Sequence, residues 1–328
     1  MKIEVCPGCL AEGYNYYCNK CLKKLFNGSK INYVLNFSRA EFDKFKNEQS
    51  EKISLPGKQI KHSLKIENKE LIPGERGEFI LKPIPSPGQI DNMEHAPFNE
   101  HLTMQIASQA FNINTAINGI IFFNDGEAAY FTKRFDIQKN GNRLLQEDFA
   151  QIAGLTEETD GENYKYKYSY EEIAELMKKY IRAYPVEIEK FFKIIIFNFL
   201  FSNNDLHLKN LSVYRNEEYG DYLLTPYYDL SNTLLHFPDK KSFGLNLLKE
   251  DSTNAFKAGK EYTQKDFIKF AQRIGIKEKR INTIFTAMLS KSMLVKDLIS
   301  NSFLNEELKS AYLDNYIEKY EILRGNIL

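Results

Sequence analysis

A strongly apolar segment that runs directly into a polar loop is the feature that most constrains the fold of this chain. Residues 186–202 are apolar on nearly every side of a predicted helix, which indicates a helix buried all round. Its most apolar part, residues 191–201, is too short for a membrane span, which needs about 18 consecutive apolar residues, and it contains Lys193 and Asn198. Helical patterns dominate from about residue 144 onward, so a large helical lobe is predicted.

Strand patterns dominate the part of the chain before this lobe. Residues 77–82 alternate weakly and end at Pro83, after an alternating stretch at 63–66. Residues 119–135 predict a hairpin, because their Asp-Gly pair is typical of a tight turn with positive φ. One helix is predicted over residues 99–111 from its apolar stripe. The predicted lobe is small and rich in strands.

Helix-start signals in the second half support a helical lobe. Capping boxes at Ser169–Glu172 and Thr263–Asp266 predict two helix starts, the first leading to about Arg182. Two further helices are predicted within 277–300 and 305–322. The predicted fold class is therefore α+β, with a small β-rich lobe followed by a larger helical one.

The polar loop after the apolar helix holds Asp205, His207 and Asn210. A predicted hairpin over 211–224 returns the chain, so Asp229 is expected close to Asp205 and Asn210. Carboxylate and amide oxygens suit Mg²⁺ beside a phosphate, and a base followed by two metal ligands is typical of a kinase. The alternative is a polar loop that only caps the helix end. His207 is expected to support the loop rather than to do chemistry.

The β-rich lobe offers a lysine and a glutamate in kinase order. Lys82 ends a predicted strand and Glu100 begins the next predicted helix, and kinases need such a pair. The alternative is that both are ordinary solvated charges. Neither a G-x-G-x-x-G nor a G-x-x-x-x-G-K-[ST] phosphate loop is present. Residues 54–61, with the single Gly57, would have to cover the phosphates instead.

All four cysteines lie in the first 21 residues, as two C-x-x-C pairs separated by eight residues. Two such pairs are typical of a closed, structural zinc site with four thiolate ligands. The alternatives are two disulfides, or one redox pair with two spare thiols, and the absence of a secretory pattern argues against disulfides. The predicted zinc ligands are Cys6, Cys9, Cys18 and Cys21.

Several of these segments together resemble the HipA family of bacterial serine/threonine kinases, the toxins of HipA–HipB systems. The resemblance covers roughly residues 50 to 325. Its segments are Ser54-x-x-Gly57-x-Gln59-x-Lys61, Ile80-Leu81-Lys82-Pro83 with Asn99-Glu100, Lys133-Arg134-Phe135-Asp136, Leu145-Gln146-Glu147-Asp148-Phe149, Asn204-Asp205-Leu206-His207-Leu208-Lys209-Asn210 and Tyr228-Asp229-Leu230-Ser231.

The resemblance implies a bilobal protein-kinase-like fold that uses ATP and Mg²⁺. It implies Asp205 as catalytic base and Asn210 and Asp229 as magnesium ligands. Ser54 would be the autophosphorylation site. The residues implied to face the nucleotide are Ser54, Gly57, Gln59, Lys61, Lys82, Glu100, Lys133, Phe135 and Gln146. Lys133 replaces an acidic hinge residue of longer members, a change that a backbone contact would survive.

The predicted domains are a zinc knuckle at 1–28, a kinase N-lobe at 29–136 and a helical C-lobe at 137–328. The chain is similar to short family members, which lack an extra N-terminal subdomain. The expected partners are ATP, a protein substrate such as an aminoacyl-tRNA synthetase or another translation protein, and a HipB-like DNA-binding antitoxin or a separate small subunit.

Net charge and hydropathy argue against two classes of protein, nucleic-acid binders and membrane or secreted proteins. The 44 basic and 44 acidic residues balance, which argues against nucleic-acid binding by bulk charge. No membrane span or secretory signal is visible, so a cytoplasmic protein is expected. Two other functions remain open at this point: a kinase of the same fold that acts on a small molecule, and a non-catalytic module whose knuckle binds a partner or nucleic acid.

Overall fold

The computed structural model describes residues 3–48, 61–138, 141–216, 220–238, 243–250 and 261–325. The predicted phosphate-loop residues Ser54, Gly57 and Gln59 lie outside the described residues, and Lys61 lies just inside them.

The first lobe is built on an antiparallel sheet with the strand order β2-β1-β3-β5-β4. Strand β3 lies at its centre and pairs with β1 on one side and β5 on the other. The strands are β1 (His62–Glu67), β2 (Glu70–Pro73), β3 (Phe79–Pro83), β4 (Asn118–Phe122) and β5 (Ala128–Lys133). The β4–β5 turn contains Gly126 at a φ of 93°, as the Asp-Gly pair predicts.

Among the described residues, the α-helices that accompany this sheet are α1 (Asn19–Phe26), α2 (Arg39–Glu48) and α3 (Ala96–Gln109). Helix α3 contacts β4 and β5, and Pro97 lies in its first turn, where its missing N–H costs nothing. Most of its side chains are buried, Glu100 among them. The helix therefore presents a charged side chain to the lobe interior.

The N-terminal knuckle, residues 3–28, shares one hydrophobic core with the sheet. The ring of Phe26 stacks on Phe131 of β5 with centroids 5.9 Å apart. The hydroxyl of Tyr17 donates a 2.7 Å hydrogen bond to the Ile120 carbonyl, and the Ile120 amide donates a 2.8 Å bond to the Pro7 carbonyl. The knuckle is thus anchored on the edge strand β4 by apolar packing and by backbone hydrogen bonds.

The second lobe surrounds the apolar helix predicted from the sequence, α7 (Tyr184–Leu200), most of whose side chains are buried. A small antiparallel sheet of β6 (Gln146–Asp148), β7 (Ser212–Asn216) and β8 (Asp221–Leu224) lies in this lobe, with β7 in the middle. The other helices are α4 (Phe149–Ile152), α5 (Glu157–Asp160), α6 (Tyr170–Tyr180), α8 (Gln264–Arg273), α9 (Glu278–Leu289), α10 (Ser292–Ser300) and α11 (Glu306–Arg324).

The predicted α+β architecture with two lobes is confirmed, and so are the capping boxes at Ser169 and Thr263. The stretch 277–300 differs, because it contains two helices rather than one. Helix α9 ends before Ser290, and Lys291 has a φ of −109° and a ψ of 11°, outside the helical range. Among the described residues, no helix has both the length and the apolar character needed to span a bilayer.

Candidate active site

A buried lysine joins the two lobes of the candidate site. Lys82, on the central strand β3, places its Nζ 2.6 Å from Glu100 Oε1, and the same ammonium bonds to Asp229 Oδ1. The Lys82 and Glu100 side chains are only 5% and 9% exposed. Burial lowers the pKa of Lys82 to about 8, against the opposing effect of Glu100. The Glu100 carboxylate therefore stabilises the positive charge of Lys82, which burial disfavours.

Asp229 is contacted by a second lysine. Lys61 Nζ lies 3.1 Å from Asp229 Oδ2, so each carboxylate oxygen faces one ammonium. The backbone of Asp229 has a φ of 57°, a left-handed conformation that is unusual for a residue with a side chain. Such strain persists only where the surrounding structure holds it, which is common at functional sites.

The helix that carries Glu100 is bonded to the segment that follows Asp229. Asn99 Nδ2 donates a 2.8 Å hydrogen bond to the Asn232 carbonyl, and the Asn232 amide donates a 3.0 Å bond to Asn99 Oδ1. Both residues are fully buried. This reciprocal pair joins the helix that carries Glu100 to the backbone three residues after Asp229.

The loop that carries Asp205 follows α7 directly. Its shape is held by Thr233, whose hydroxyl accepts from the Asn204 amide at 3.1 Å and donates to the Ser202 carbonyl at 2.9 Å. From the other side, Tyr170 donates a 2.8 Å bond to the Leu206 carbonyl. Asp205 is half-buried between these contacts.

Asn210 and His207 take different places in this loop. Asn210 Nδ2 donates a 3.2 Å hydrogen bond to the Asp205 carbonyl, which leaves the amide oxygen as the atom suited to a cation. His207 is buried, and burial lowers its pKa to about 4, so the imidazole is neutral near pH 7. Its ring lies edge-on to Tyr166 at 5.2 Å. His207 thus packs within the loop.

The hydroxyl of Tyr166 donates a hydrogen bond to Asp205 Oδ1. Sequence reasoning missed this tyrosine, because it lies in a tyrosine- and lysine-rich stretch with no motif around it. Nothing in the spacing of residues 164–168 signals a contact with Asp205.

The predicted hinge residues lie at the end of β5 and beyond. The ring of Phe135 stacks on Tyr228, next to Asp229, with centroids 6.0 Å apart. Lys133 turns its side chain to the knuckle, where Nζ lies 3.1 Å from Asn27 Oδ1, and its amide donates to the Ile117 carbonyl at 2.7 Å. The predicted backbone contact with adenine would therefore need a group other than the Lys133 amide.

Gln146 begins β6, the edge strand of the small sheet, and pairs with Tyr214 of β7. It is half-buried. The structure thus places it in the second lobe, on the strand that leads into Asp148, and Asp148 Oδ2 lies 3.1 Å from Lys209 Nζ of the Asp205 loop.

The oxygen atoms of Asn210 and Asp229 are of the kind that Mg²⁺ prefers, and in this structure the two Asp229 oxygens are bonded to the ammonium groups of Lys61 and Lys82. Asn210 and Asp229 supply an amide oxygen and a carboxylate from the two chain segments that flank the β7–β8 hairpin. Tyr228 links these segments, because its hydroxyl donates a 3.2 Å bond to the Lys209 carbonyl. These two residues would hold the cation.

The four cysteine sulfurs fit a tetrahedral zinc ion. All four Sγ atoms lie within 4.8 Å of one another, and Cys9 Sγ is 3.7 Å from Cys18 Sγ. Zinc–sulfur bonds of about 2.3 Å in a tetrahedron place neighbouring sulfurs about 3.8 Å apart. Gly8 makes this spacing possible, since a Cβ there would lie 2.8 Å from Cys21 Sγ. None of the four cysteines forms a disulfide.

Comparison with known proteins places the chain in a family. Residues 53–294 match the model of the HipA-like C-terminal domain, which is well over half of the chain. The chain belongs to the HipA-like C-terminal domain family. The predicted HipA resemblance is thereby confirmed, and family and fold together support a kinase of the HipA type.

Individual relatives of this HipA-like chain agree with that placement. A Haemophilus influenzae protein that carries the name "Putative kinase" is 28% identical over 350 residues, covering 98% of this chain and 94% of the relative. The HipA structure from the Shewanella oneidensis HipA, HipB and operator DNA complex has a TM-score of 0.64 at 18% identity, covering 88% of this chain and 71% of that one. The Helicobacter pylori proinflammatory kinase CtkA has a TM-score of 0.52 at 14% identity, covering 84% and 94%. The structural matches show a shared kinase-like fold.

Proposed function

We propose that this chain is an ATP- and Mg²⁺-dependent kinase that transfers phosphate to serine or threonine in proteins. The observation that carries the proposal is the buried Lys82–Glu100 pair with Asp229 on the same ammonium. Protein kinases need a strand lysine paired with a glutamate on the following helix, together with an aspartate that holds Mg²⁺. In this chain β3, α3 and the segment after β8 supply those three groups.

Each residue has a distinct part in the proposed reaction. Lys82 and Lys61 bind the phosphates of ATP, and Asp229 and Asn210 would hold Mg²⁺, which would supply positive charge to those phosphates. Asp205 accepts the proton of the acceptor hydroxyl as its oxygen bonds to the γ-phosphorus. The bond from that phosphorus to the bridging oxygen breaks, and ADP leaves.

The toxin role and the protein partners are proposed from the family. A HipB-like antitoxin or a separate small subunit is the proposed partner, in line with the HipA–HipB–DNA complex whose HipA matches this chain. The proposed substrate is a host protein, such as an aminoacyl-tRNA synthetase or another translation protein. Ser54 is proposed as the autophosphorylation site. Lys61, at the end of its segment, already contacts Asp229.

A structural Zn²⁺ ion is proposed in the knuckle, with Cys6, Cys9, Cys18 and Cys21 as ligands. The sulfur spacing supports it. The shell would be closed, since four protein ligands complete a tetrahedron, so the ion would stabilise the knuckle and take no part in phosphoryl transfer.

The function is tested with labelled ATP and a lysate, comparing wild type with Asp205→Asn. The expected result is label on the serine or threonine residues of one or a few proteins, in the wild-type reaction only. Label on a small molecule and on no protein would assign the enzyme to small-molecule kinases. No transfer from an enzyme that binds Mg·ATP would contradict a kinase.

A further inference from the structure

A short surface arm, residues 156–168, connects the end of α4 to the start of α6. It consists of α5, begun by Thr156, whose hydroxyl accepts from the Thr159 amide at 3.1 Å, and a single 3-10 turn at Tyr164–Tyr166. None of its side chains is fully buried, and Lys167 Nζ lies 2.9 Å from Asp160 Oδ1 on its surface. Three of its tyrosines, Tyr164, Tyr166 and Tyr168, pack against the core but stay partly exposed, so the arm has fewer buried contacts to lose than a core segment and opens at a lower free-energy cost.

The arm touches the Asp205 loop at two points. Tyr166 donates its hydrogen bond to Asp205 Oδ1 and places its ring edge-on to His207. Two residues earlier, the ring of Tyr164 lies 5.9 Å from Lys209 Nζ. The arm thus lies along the loop that the proposed reaction uses.

The Tyr166 hydroxyl bonds to Asp205 as the hydroxyl of a phosphate-accepting substrate would. A general base must lie within hydrogen-bond reach of the hydroxyl whose proton it takes, and on Asp205 a hydroxyl is already there. Burial and the neighbouring Asp205 carboxylate raise the pKa of Tyr166 above its ordinary value, so the phenol keeps its proton and remains a donor at neutral pH.

We propose that Tyr166 is a gate on the acceptor site: its hydroxyl occupies the hydrogen-bonding position on Asp205 that a substrate hydroxyl needs, and the arm must move away before transfer. The proposal rests on the proposed function, because it takes Asp205 as the base. Water and weak acceptors are excluded by the same contact. A true substrate must supply enough contacts elsewhere to displace the arm, which makes Tyr166 a specificity-determining residue.

The test compares Tyr166→Phe with wild type by ATP hydrolysis without acceptor, in which water takes the acceptor's place. The variant keeps the ring against His207 and loses only the hydroxyl. Hydrogen bonds to charged groups are worth roughly a factor of ten or more, so hydrolysis should rise about tenfold with the KM for ATP unchanged. A positioning or purely structural role predicts a fall instead, and either a fall or no change overturns the gate.

Tyr168→Phe is the matched control, since Tyr168 lies in the same arm and its ring packs against the hydrophobic core. Its hydrolysis rate should equal that of wild type. Amide hydrogen exchange over residues 156–168 gives a readout independent of turnover: exchange should quicken in Tyr166→Phe and in Asp205→Asn but not in the control. Equal exchange in all four proteins overturns the gate. A wild type that neither hydrolyses ATP nor transfers phosphate contradicts the proposed function itself.

Discussion

The side-chain amide of Asn99 forms two hydrogen bonds with the backbone of Asn232, one at each of its polar groups, at 2.8 and 3.0 Å. Asn99 is the neighbour of Glu100, and Asn232 lies three residues after Asp229. The Asn99 side chain therefore hydrogen-bonds the backbone close to the Asp229 carboxylate. These bonds connect the two lobes next to the place where Lys82 and Glu100 of the first lobe contact Asp229 of the second through the Lys82 ammonium. Movement of α3 relative to the Asp229 segment requires both buried bonds to break.

Replacing Asn99 with alanine should destabilise the protein and weaken nucleotide binding together. The change leaves the buried Asn232 amide without its partner, at a cost of about 1–3 kcal/mol for such an unsatisfied group, and leaves its carbonyl with only the 3.4 Å bond from the Leu235 amide. Thermal melting and calorimetric titration with Mg·ATP measure the two effects. Gln272→Ala, at an exposed position of α8, serves as the control, with an expected change within about 0.5 kcal/mol. A wild-type melting temperature for Asn99→Ala would contradict the coupling.

Glu100→Gln should lower the rate of phosphate transfer strongly. Lys82 loses its charged partner in a site where both side chains are almost fully buried, so its ammonium is less well held in place for the phosphates. Glu67→Gln is the matched control, because the Lys65–Glu67 pair has a similar length of 2.8 Å but is about half exposed. Exposed pairs contribute roughly 0–1 kcal/mol. Equal kinetics for the two variants would show that burial of the Lys82 pair is irrelevant to activity.

Replacing each of the two candidate carboxylates, Asp205 and Asp229, should affect a different step of the reaction. Asp205→Asn removes the proposed base but keeps the shape, so Mg·ATP should still bind while transfer largely stops. Asp229→Asn removes a charged ligand and should weaken Mg·ATP binding itself. Titration calorimetry and single-turnover transfer separate the two outcomes. If both variants transfer phosphate at the wild-type rate, the assignment of the site is wrong.

Purified protein should hold about one zinc ion per chain. Cys9→Ser should release it and lower the stability of the whole first lobe, since the knuckle and the sheet share the contacts of Phe26 and Tyr17. Elemental analysis and thermal melting measure these effects, with Ser29→Ala, at an exposed position beyond the knuckle, as control. Protein purified without chelator that contains no zinc would contradict the site.

Acid should destabilise the fold in part through His207. Its pKa in the folded protein is about 4, below the ordinary value of 6.5, because it is buried. Between these values the unfolded chain binds the proton and the folded one does not, so stability is lost as the pH falls from 6.5 towards 4. The slope cannot exceed about 1.4 kcal/mol per pH unit, the limit for one proton. Urea unfolding at several pH values should show a shallower slope in His207→Gln, with His101 supplying part of what remains. Identical slopes would contradict this assignment.

Much of the architecture is predictable from local pattern. The apolar run of α7, the two capping boxes and the Asp-Gly turn each depend on neighbours within a few residues, and the structure has all of them. The proximity of Lys82 to Glu100 was also suggested by their order along the chain. Short-range pattern and chain order carry such information well.

Tyr166 and Asn99 show where sequence reasoning reaches its limit. Tyr166 contacts Asp205, 39 residues away, and Asn99 contacts Asn232, 133 residues away. Neither contact has a periodic signal, because the first depends on how a surface segment of the second lobe packs on a distant loop of the same lobe, and the second on how the two lobes pack together. The left-handed backbone of Asp229 likewise occurs at a residue whose type does not demand it.

The shared core of knuckle and sheet has a consequence for the order of assembly during synthesis. The cysteines and Phe26 leave the ribosome before β3 and β5, whose Phe79 and Phe131 cover the aromatic side of the knuckle. Chains are made from the N-terminus at about 5–20 residues per second, so an early metal-bound knuckle would wait some seconds with that side uncovered. During that interval the knuckle is a nascent intermediate with an exposed apolar surface. The first lobe is complete when Phe79 and Phe131 cover that surface.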